Sequence, residues 1–396
     1  ESPFVHYIIS IFKRMKRNLE LKLEKLYTYN TTSASNYDTA LQLAKEVMQG
    51  LNQVQGGTGF NRQTKTFSTD GMDLTWVAKL DEIHYTRKAK EHYEDYLKDY
   101  PNDLEKIITI IKYEEVNRKY LNQTNEFLEP LEAKDQVEIK YLMYTADEPY
   151  RTLSMKYLDR FTIASTNAEI QRFISSEDII EINISENRND PRGSYYTFFH
   201  EVAHAFDYYY GVDHGYDGFL SDSFTIDDKT LNDHIYYDAE MNFRGELKAI
   251  LDLEEYEDLS LVEKQEMIDN VTNNLMNQDR YFDALSAEEL ELQQNLESIY
   301  EEKLEGPDHN TASDTYGGVT NNIIVGSYGH FVDEDYWINL DGTRNREPNR
   351  ETFAGYYGRI MVPDGDLRIA GIKSIEHYLP NSKDFMDKML IKMGKE

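Results

Sequence analysis

Two histidines four residues apart, His200 and His204, enclose a glutamate in the segment His-Glu-Val-Ala-His. On an α-helix, residues with this spacing lie on the same face, so both imidazoles can bind one metal ion. Zn²⁺ suits such a pair because imidazole nitrogen is among its usual ligands. Glu201, beside the first histidine, would act as a general base and take a proton from a zinc-bound water. The segment therefore predicts a hydrolytic centre with Zn²⁺ as its cofactor.

The residues around this segment favour a metal site over two structural histidines on an amphipathic helix. Residues 179–184 are apolar, β-branched and alternating, which predicts a strand. The polar residues 185–193 follow as a loop, and the histidines then lie within the largely apolar and aromatic run 197–210. We therefore expect the motif on a core helix beside a sheet.

A catalytic zinc site needs three protein ligands and a water, so a third side chain must come from elsewhere in the chain. Tyr210 stands where the metzincin pattern requires a third histidine, which excludes that class. Glu351 is the favoured third ligand because it begins a helical, partly apolar segment that would hold it rigidly. Glu246, in another helical segment, and Asp314, close to the aspartate pattern of aspzincins, stay open as alternatives. Asp207 is placed better for a hydrogen bond to an imidazole than for direct ligation.

Short motifs in the second half of the chain resemble those of a known family. HEVAHAFD at 200–207, SYG at 327–329 and ETFA at 351–354 are similar to motifs of zincin metallopeptidases, among them the catalytic domain of anthrax lethal factor and the metallopeptidase domains of polymorphic toxins and phages. The resemblance covers about residues 160–396. It implies a zincin-like fold and a gluzincin-like zinc metalloendopeptidase.

The resemblance also implies a role for each motif residue. His200, His204 and Glu351 would hold the zinc ion, and Glu201 would be the base. Ala203 stands where the family usually has glycine, which is a sterically mild replacement. The resemblance thus gives His200, His204 and Glu201 the same roles that their spacing predicts, and it favours Glu351 among the alternative third ligands.

In this family, a tyrosine shortly before the third ligand assists the developing oxyanion. Tyr328 is the corresponding residue, but it lies 23 residues before Glu351, a longer gap than the family shows. Tyr336 and His330 are therefore alternative oxyanion donors. One good donor of this kind contributes roughly 10²–10³ in rate.

The coarse pattern of elements predicts an α+β fold. Residues 160–165 and 178–185 are expected as strands before the motif helix, and residues 350–361 as the helix that carries Glu351. Residues 151–396 would form a zincin-like catalytic domain with a small mixed sheet. An acidic helical insertion at about 252–305 would separate the two halves of its site.

Residues 1–150 contain no groups with catalytic spacing and are expected to be mainly α-helical. We interpret them as an accessory or docking region that would bind a delivery or immunity partner. The predicted helices are 1–30, 37–54, 74–100 and 103–127.

The composition of the 396-residue chain limits its partners and its chemistry. The net charge of −31 repels phosphates and argues against a nucleic-acid partner. The absence of cysteine excludes disulfides and thiolate zinc sites. No apolar run approaches the ~20 residues needed to cross a bilayer. Residues 252–305 carry 17 acidic and three basic residues, which is typical of a solvated helical face.

The sequence as a whole predicts a zinc-dependent endopeptidase that acts on a protein or peptide substrate. We expect a secreted bacterial toxin or effector, and the opening Glu1 in place of Met is typical of a processed product or a part of a longer protein. The alternative is an inactive zincin-fold binding module or a phage-associated structural protein. The intact Glu201 argues against that alternative, because binding needs no base. Hydrolysis of a non-peptide amide is a third interpretation.

Overall fold

The structure, a computed structural model, describes residues 60–61, 66–67, 75–116, 118–167, 171–276, 285–329, 336–339, 343–363 and 365–395. The predicted helices 1–30 and 37–54 lie outside these residues. Internal contacts divide the chain into two units, Glu1–Glu94 and Asp95–Glu396, and each is described by itself. The functional division expected near residue 150 stays a prediction.

The first unit contains a short hairpin followed by a helix. Strands β1 (Phe60–Asn61) and β2 (Thr66–Phe67) pair in antiparallel fashion. Helix α1 (Thr75–His92) occupies most of the stretch predicted as one helix over 74–100. After a break at Tyr93, the remainder is a separate helix, α2 (Glu94–Asp99), of which all but the first residue belongs to the second unit. The predicted stop at Pro101 is confirmed, since a 3-10 turn begins there.

Helices make up most of the second unit. The segment predicted as a single helix over 103–127 is two helices, α3 (Leu104–Val116) and α4 (Leu121–Leu128), which are separated by a turn near Tyr120. The helices from there to the motif are α3 (Leu104–Val116), α4 (Leu121–Leu128), α5 (Ala133–Thr145), α6 (Tyr150–Lys156) and α7 (Ile184–Asn187). Those from the motif onward are α8 (Tyr196–Asp213), α9 (Leu231–Leu251), α10 (Leu261–Met276), α11 (Ala287–Lys303), α12 (Asn310–Thr320), α13 (Glu347–Met361), α14 (Asp366–Tyr378) and α15 (Pro380–Lys395).

A small mixed sheet precedes the motif helix. Its strands are β3 (Thr162–Ser165), β4 (Arg172–Ile174) and β5 (Ile179–Ile182), in the spatial order β3-β5-β4. β3 runs parallel to β5, and β4 runs antiparallel to it. A further short pair, β6 (Thr225–Ile226) and β7 (Lys229–Thr230), leads into α9. The α+β prediction is confirmed at this coarse level, with mostly helical structure and a small mixed sheet.

The core of the second unit lies where α13 packs against both α8 and α12. Every residue of α12 is buried, and α8 and α13 are buried along nearly their whole length. Gly318 of α12 permits a close approach, because a Cβ there would lie 2.6 Å from Cγ of Pro348. The two helices that carry the motif residues, α8 and α13, thus pack directly against each other in this core.

Helices α10 and α11 lie in the acidic segment at about 252–305, which was predicted to be helical, and they pack against each other and against α9. The role of this segment as an insertion stays a prediction. α11 begins with a capping box in which Ser286 and Glu289 exchange hydrogen bonds with each other's backbone. Within the part of the chain that the structure describes, no helix is both long and apolar enough to cross a membrane.

Candidate metal centre

Helix α8 brings both motif histidines to one buried face. Its N-terminus is capped by Asn187, whose Oδ1 accepts a hydrogen bond from the backbone N–H of Phe198 at 2.7 Å. Apolar and aromatic residues on the remaining faces hold the helix in the core. The four-residue spacing then places the Nε2 atoms of His200 and His204 3.1 Å apart.

Glu351 reaches these histidines from α13, which packs directly against α8. Its Oε2 lies 3.0 Å from Nε2 of His200, and its Oε1 lies 3.6 Å from Nε2 of His204. All three side chains are buried, and their ligand atoms lie within 4.8 Å of one another. The structure therefore brings together the three residues that the sequence selected, and this group, the His200–His204–Glu351 cluster, could hold a metal ion.

The separations within the cluster fit a zinc ion. Zinc–ligand bonds of about 2.0–2.2 Å place neighbouring ligand atoms of a tetrahedron about 3.3–3.6 Å apart. The two histidine nitrogens are 3.1 Å apart, and the two oxygens of Glu351 lie 3.0 Å from His200 and 3.6 Å from His204, which is close to that range. Two imidazoles and one carboxylate also leave the fourth position of the tetrahedron for a water or a substrate oxygen.

The electrostatics of the cluster favour a positive charge at its centre. Burial lowers the pKa of His204, but the attraction of Glu351, aided by that of Glu201, outweighs burial and raises the pKa to about 9. A proton therefore stays on the cluster at neutral pH in the absence of a cation. A divalent cation would supply this charge instead and displace the proton.

The other carboxylates weighed as third ligands lie elsewhere. Glu246 in α9 accepts a hydrogen bond from Nζ of Lys303 at 2.5 Å. Asp314 is buried in α12, where its charge acts on Arg192. Both oxygens of Asp207 accept hydrogen bonds from Ser221, at 3.0 and 2.5 Å. Among the described residues, the convergent group that could hold a metal ion contains none of these three.

Glu201 lies in the same site and is held by the sheet. Its Oε2 accepts a hydrogen bond from the backbone N–H of Phe173 in β4 at 2.7 Å. Burial raises the pKa of Glu201, while the neighbouring histidines His200 and His204 oppose that effect. An oriented carboxylate of raised basicity is what a general base requires.

The three candidate oxyanion donors have different positions. The hydroxyl of Tyr336 donates a hydrogen bond to Oε1 of Glu351 at 2.6 Å, so this residue belongs to the site. Burial, together with the charge of Glu351, raises the pKa of Tyr336 and keeps the hydroxyl protonated. Tyr328 is 36% exposed, and the structure describes no contact between it and the cluster. His330 lies outside the described residues, and the roles of all three stay predictions.

Sequence reasoning missed Glu347, which lies one helical turn before Glu351 in α13. It forms an ion pair with Arg350. Burial raises the pKa of Glu347, and the negative charge of Glu351 raises it further. The positive charges of Arg350 and His204 only partly oppose this rise. The four-residue spacing between Glu347 and Glu351 could have indicated that Glu347 lies near the site, because residues with this spacing share a helix face.

Three partly exposed aromatic rings form a row that ends beside His204. The ring centroids of Phe173 and Tyr208 are 6.0 Å apart, and those of Tyr208 and Phe219 are 5.3 Å apart. Phe219 in turn lies edge-on to His204 at 6.3 Å. The rings come from β4, from α8 and from the loop after it, so only folding brings them together.

Comparison with known proteins relates part of the chain to a toxin. No family model and no solved structure matches the chain. A protein named Toxin from Bacillus cereus is 41% identical over 81 residues, which are 20% of this chain. The match spans about 15% of that protein's length. The chain thus shares a limited segment with a protein named as a toxin.

Proposed function

We propose that this protein is a zinc-dependent endopeptidase that acts as a bacterial toxin or effector. The observation that supports it best is the convergence of His200, His204 and Glu351 in one buried group, with Glu201 beside it. A structural pair of histidines would need no glutamate of this kind. The motif resemblance to zincin metallopeptidases points to the same class of reaction.

In the proposed mechanism, the two histidines and Glu351 would hold the zinc ion. When bound, zinc lowers the pKa of a water and polarises the substrate carbonyl. Glu201 removes a proton from the attacking water and returns it to the nitrogen of the leaving amine. The N–H of Phe173 holds one oxygen of Glu201, and the carboxylate therefore keeps its orientation during both transfers.

Tyr336 has two tasks in this proposal. Its hydroxyl holds Oε1 of Glu351 and so orients the ligand carboxylate. We also propose that this hydroxyl turns from Glu351 to the developing oxyanion during the reaction, because its single O–H donates to one acceptor at a time and it lies beside the cluster. Tyr328 and His330 are the competing donors.

The proposed setting is secretion or delivery into a target cell. The similarity to a protein named Toxin supports this setting over the segment that it covers. The substrate would be a protein or peptide. Residues 1–150 would contact a delivery or immunity partner.

The decisive test combines zinc analysis with a proteolysis assay. The wild-type chain is expected to bind one zinc ion per molecule and to cleave an unfolded protein such as casein. Glu201→Gln should retain zinc and lose cleavage by at least about 10²-fold, because the base is removed while the ligands remain. Glu246→Gln is the matched control, since Glu246 pairs with Lys303 away from the cluster.

Each competing interpretation gives a different result in this test. Zinc binding without cleavage of any protein by the wild type would favour the inactive zincin-fold module. Cleavage by Glu201→Gln at the wild-type rate would refute the mechanism. A wild-type protein without stoichiometric metal would refute the metal centre itself.

A further inference from the structure

A short segment after α8 connects the two helices that carry the cluster. It is the 3-10 turn Leu220–Asp222, called the bridging turn below. Toward α8, Ser221 donates its backbone N–H to Oδ1 of Asp207 at 3.0 Å and its hydroxyl to Oδ2 at 2.5 Å. Asp207 is fully buried and lies one turn beyond His204. The bridging turn is thus bound to the histidine helix by two hydrogen bonds to one carboxylate.

Toward α13, the bridging turn is bound by arginine. Asp222 accepts hydrogen bonds at Oδ2 from Nε of Arg350 at 3.1 Å and from Nη2 at 2.6 Å. Nη1 of Arg346 donates to the backbone oxygen of Asp222 at 3.1 Å. The guanidinium of Arg350 also lies 4.2 Å from the ring centroid of Phe219. Because Arg350 directly precedes Glu351, these contacts fix the backbone from which the ligand carboxylate extends.

Two glycines let the loop pack against α8. A Cβ at Gly211 would lie only 1.9 Å from the carbonyl oxygen of Gly218, so a larger residue at 211 would push this backbone away. Gly218 has a φ of +93°, a conformation that favours glycine. The bridging turn is therefore seated on α8 by its backbone as well as by Ser221.

We propose that the bridging turn is a clamp that sets the distance between the histidine pair and Glu351, and thereby the metal affinity of the cluster. Asp207, Asp222 and Arg350 are its positioning residues. The proposal rests on the proposed zinc function. Its physical basis is that zinc requires ligand distances within about 0.2 Å, so a shift of one ligand helix against the other weakens binding. Replacing partners that orient ligands typically lowers metal affinity 10- to 100-fold.

The test measures zinc affinity of the full chain by competition with a chromogenic chelator, and the visible absorption of the Co²⁺ form. Asp222→Asn removes the charge that Arg350 contacts. Arg350→Lys keeps the positive charge but loses the two-pronged contact. Each variant should bind zinc about 10- to 100-fold more weakly and should change the Co²⁺ spectrum. The variant with both changes should have the same zinc affinity as whichever single variant binds zinc more weakly, because both changes remove the same contact.

Two controls separate the clamp from a general loss of stability. Asp238 is buried and accepts hydrogen bonds from Asn381 and Ser382, so it joins α9 to α15, neither of which carries a ligand. Asp238→Asn should lower the thermal midpoint and leave zinc affinity within about twofold of wild type. Gly211→Ala should weaken zinc binding without altering a charged group. Gly245→Ala, where an added Cβ meets nothing within 4 Å, should not.

The possible outcomes distinguish this proposal from the one on which it rests. If the wild type binds zinc and both Asp222→Asn and Gly211→Ala bind it equally well, the clamp is wrong and the zinc site stands. If Asp222→Asn fails to fold, Arg350→Lys and Gly211→Ala decide the question in the same way. A wild type without zinc would overturn the proposed function and the clamp together.

Discussion

Tyr336 donates its hydroxyl to Oε1 of Glu351 at 2.6 Å, while Oε2 of the same carboxylate lies 3.0 Å from Nε2 of His200. The two oxygens of Glu351 thus have separate partners. A carboxylate held at one oxygen presents the other in a defined direction, which lowers the cost of orienting it around a metal ion. Tyr336 therefore connects the segment before α13 to the cluster.

Tyr336→Phe removes this hydrogen bond and keeps the ring. We expect zinc affinity to fall by about tenfold or more, since Glu351 loses its orienting partner. If Tyr336 also donates to the oxyanion, kcat should fall by a further 10²–10³ at saturating zinc. Chelator competition and peptide-cleavage kinetics measure the two effects separately. Tyr328→Phe is the control, and slower cleavage in that variant alone would assign the oxyanion role to Tyr328.

Asp207→Asn should change how stability depends on pH. Burial raises the pKa of Asp207 to about 7, although its hydrogen bonds from Ser221 oppose the rise. The folded state therefore holds a proton more tightly than the unfolded state, whose pKa is about 3.9. The free energy of unfolding must then fall as pH rises from about 4 to 7, by an amount on the order of a few kcal/mol.

Asparagine at position 207 stays uncharged and can keep both contacts with Ser221, by accepting the N–H and donating to the hydroxyl oxygen. The free energy of unfolding of this variant should therefore fall much less between pH 4 and pH 7, and the variant should be more stable than wild type at pH 8. Urea unfolding between pH 4 and pH 8, in the presence of a chelator, measures the difference. If the free energy of unfolding depended on pH in the same way in both proteins, the pKa of Asp207 would not be raised by folding, and this prediction would be wrong.

Removal of metal should destabilise the wild-type protein. A ligand that binds only the folded state adds about 4 kcal/mol when its free concentration is about 1,000 times Kd. A strong chelator should therefore lower the thermal midpoint by several degrees, and added zinc should restore it. His204→Ala loses a ligand, so its midpoint should not respond to chelator or to zinc. An equal response in both proteins would place the bound metal somewhere other than the cluster.

Gly358→Ala should separate the two ligand helices. A Cβ at Gly358 would lie 3.2 Å from the backbone oxygen of Tyr196 and 3.4 Å from the backbone nitrogen of His200, so α13 would have to move away from α8. We expect a loss of about 1–3 kcal/mol in the free energy of unfolding, together with weaker zinc binding. Gly245→Ala is again the matched control. Unchanged stability of Gly358→Ala would mean that the helices adjust at no cost.

The placement of His200 and His204 on one helix face, with Glu201 beside them, was predictable because it depends on helix periodicity alone. Glu351 followed from its helical context and from the resemblance, although it lies far along the chain from His204. The partners of these residues were not predictable. The N–H of Phe173 belongs to a three-residue strand, β4, which is too short to show alternation. Its hydrogen bond to Glu201 exists only after the sheet has packed against α8.

The contacts of the bridging turn could not be predicted from the sequence for a similar reason. Ser221 and Asp222 lie in a loop whose composition indicates only a turn, and their roles depend on which helices flank it after folding. The predicted helix 74–100 was interrupted at Tyr93, where no proline or glycine marks a break. Local pattern thus selected the candidate site residues, and tertiary contacts determined what orients them.

His204 and Glu351 lie about 150 residues apart in a chain without cysteine. A single metal ion bound between them would link distant parts of the polypeptide, as a disulfide does in many exported proteins, but reversibly. Acid or a chelator would undo the link without any redox reaction. The stability of a protein linked in this way would then depend on the zinc concentration and the pH of its surroundings.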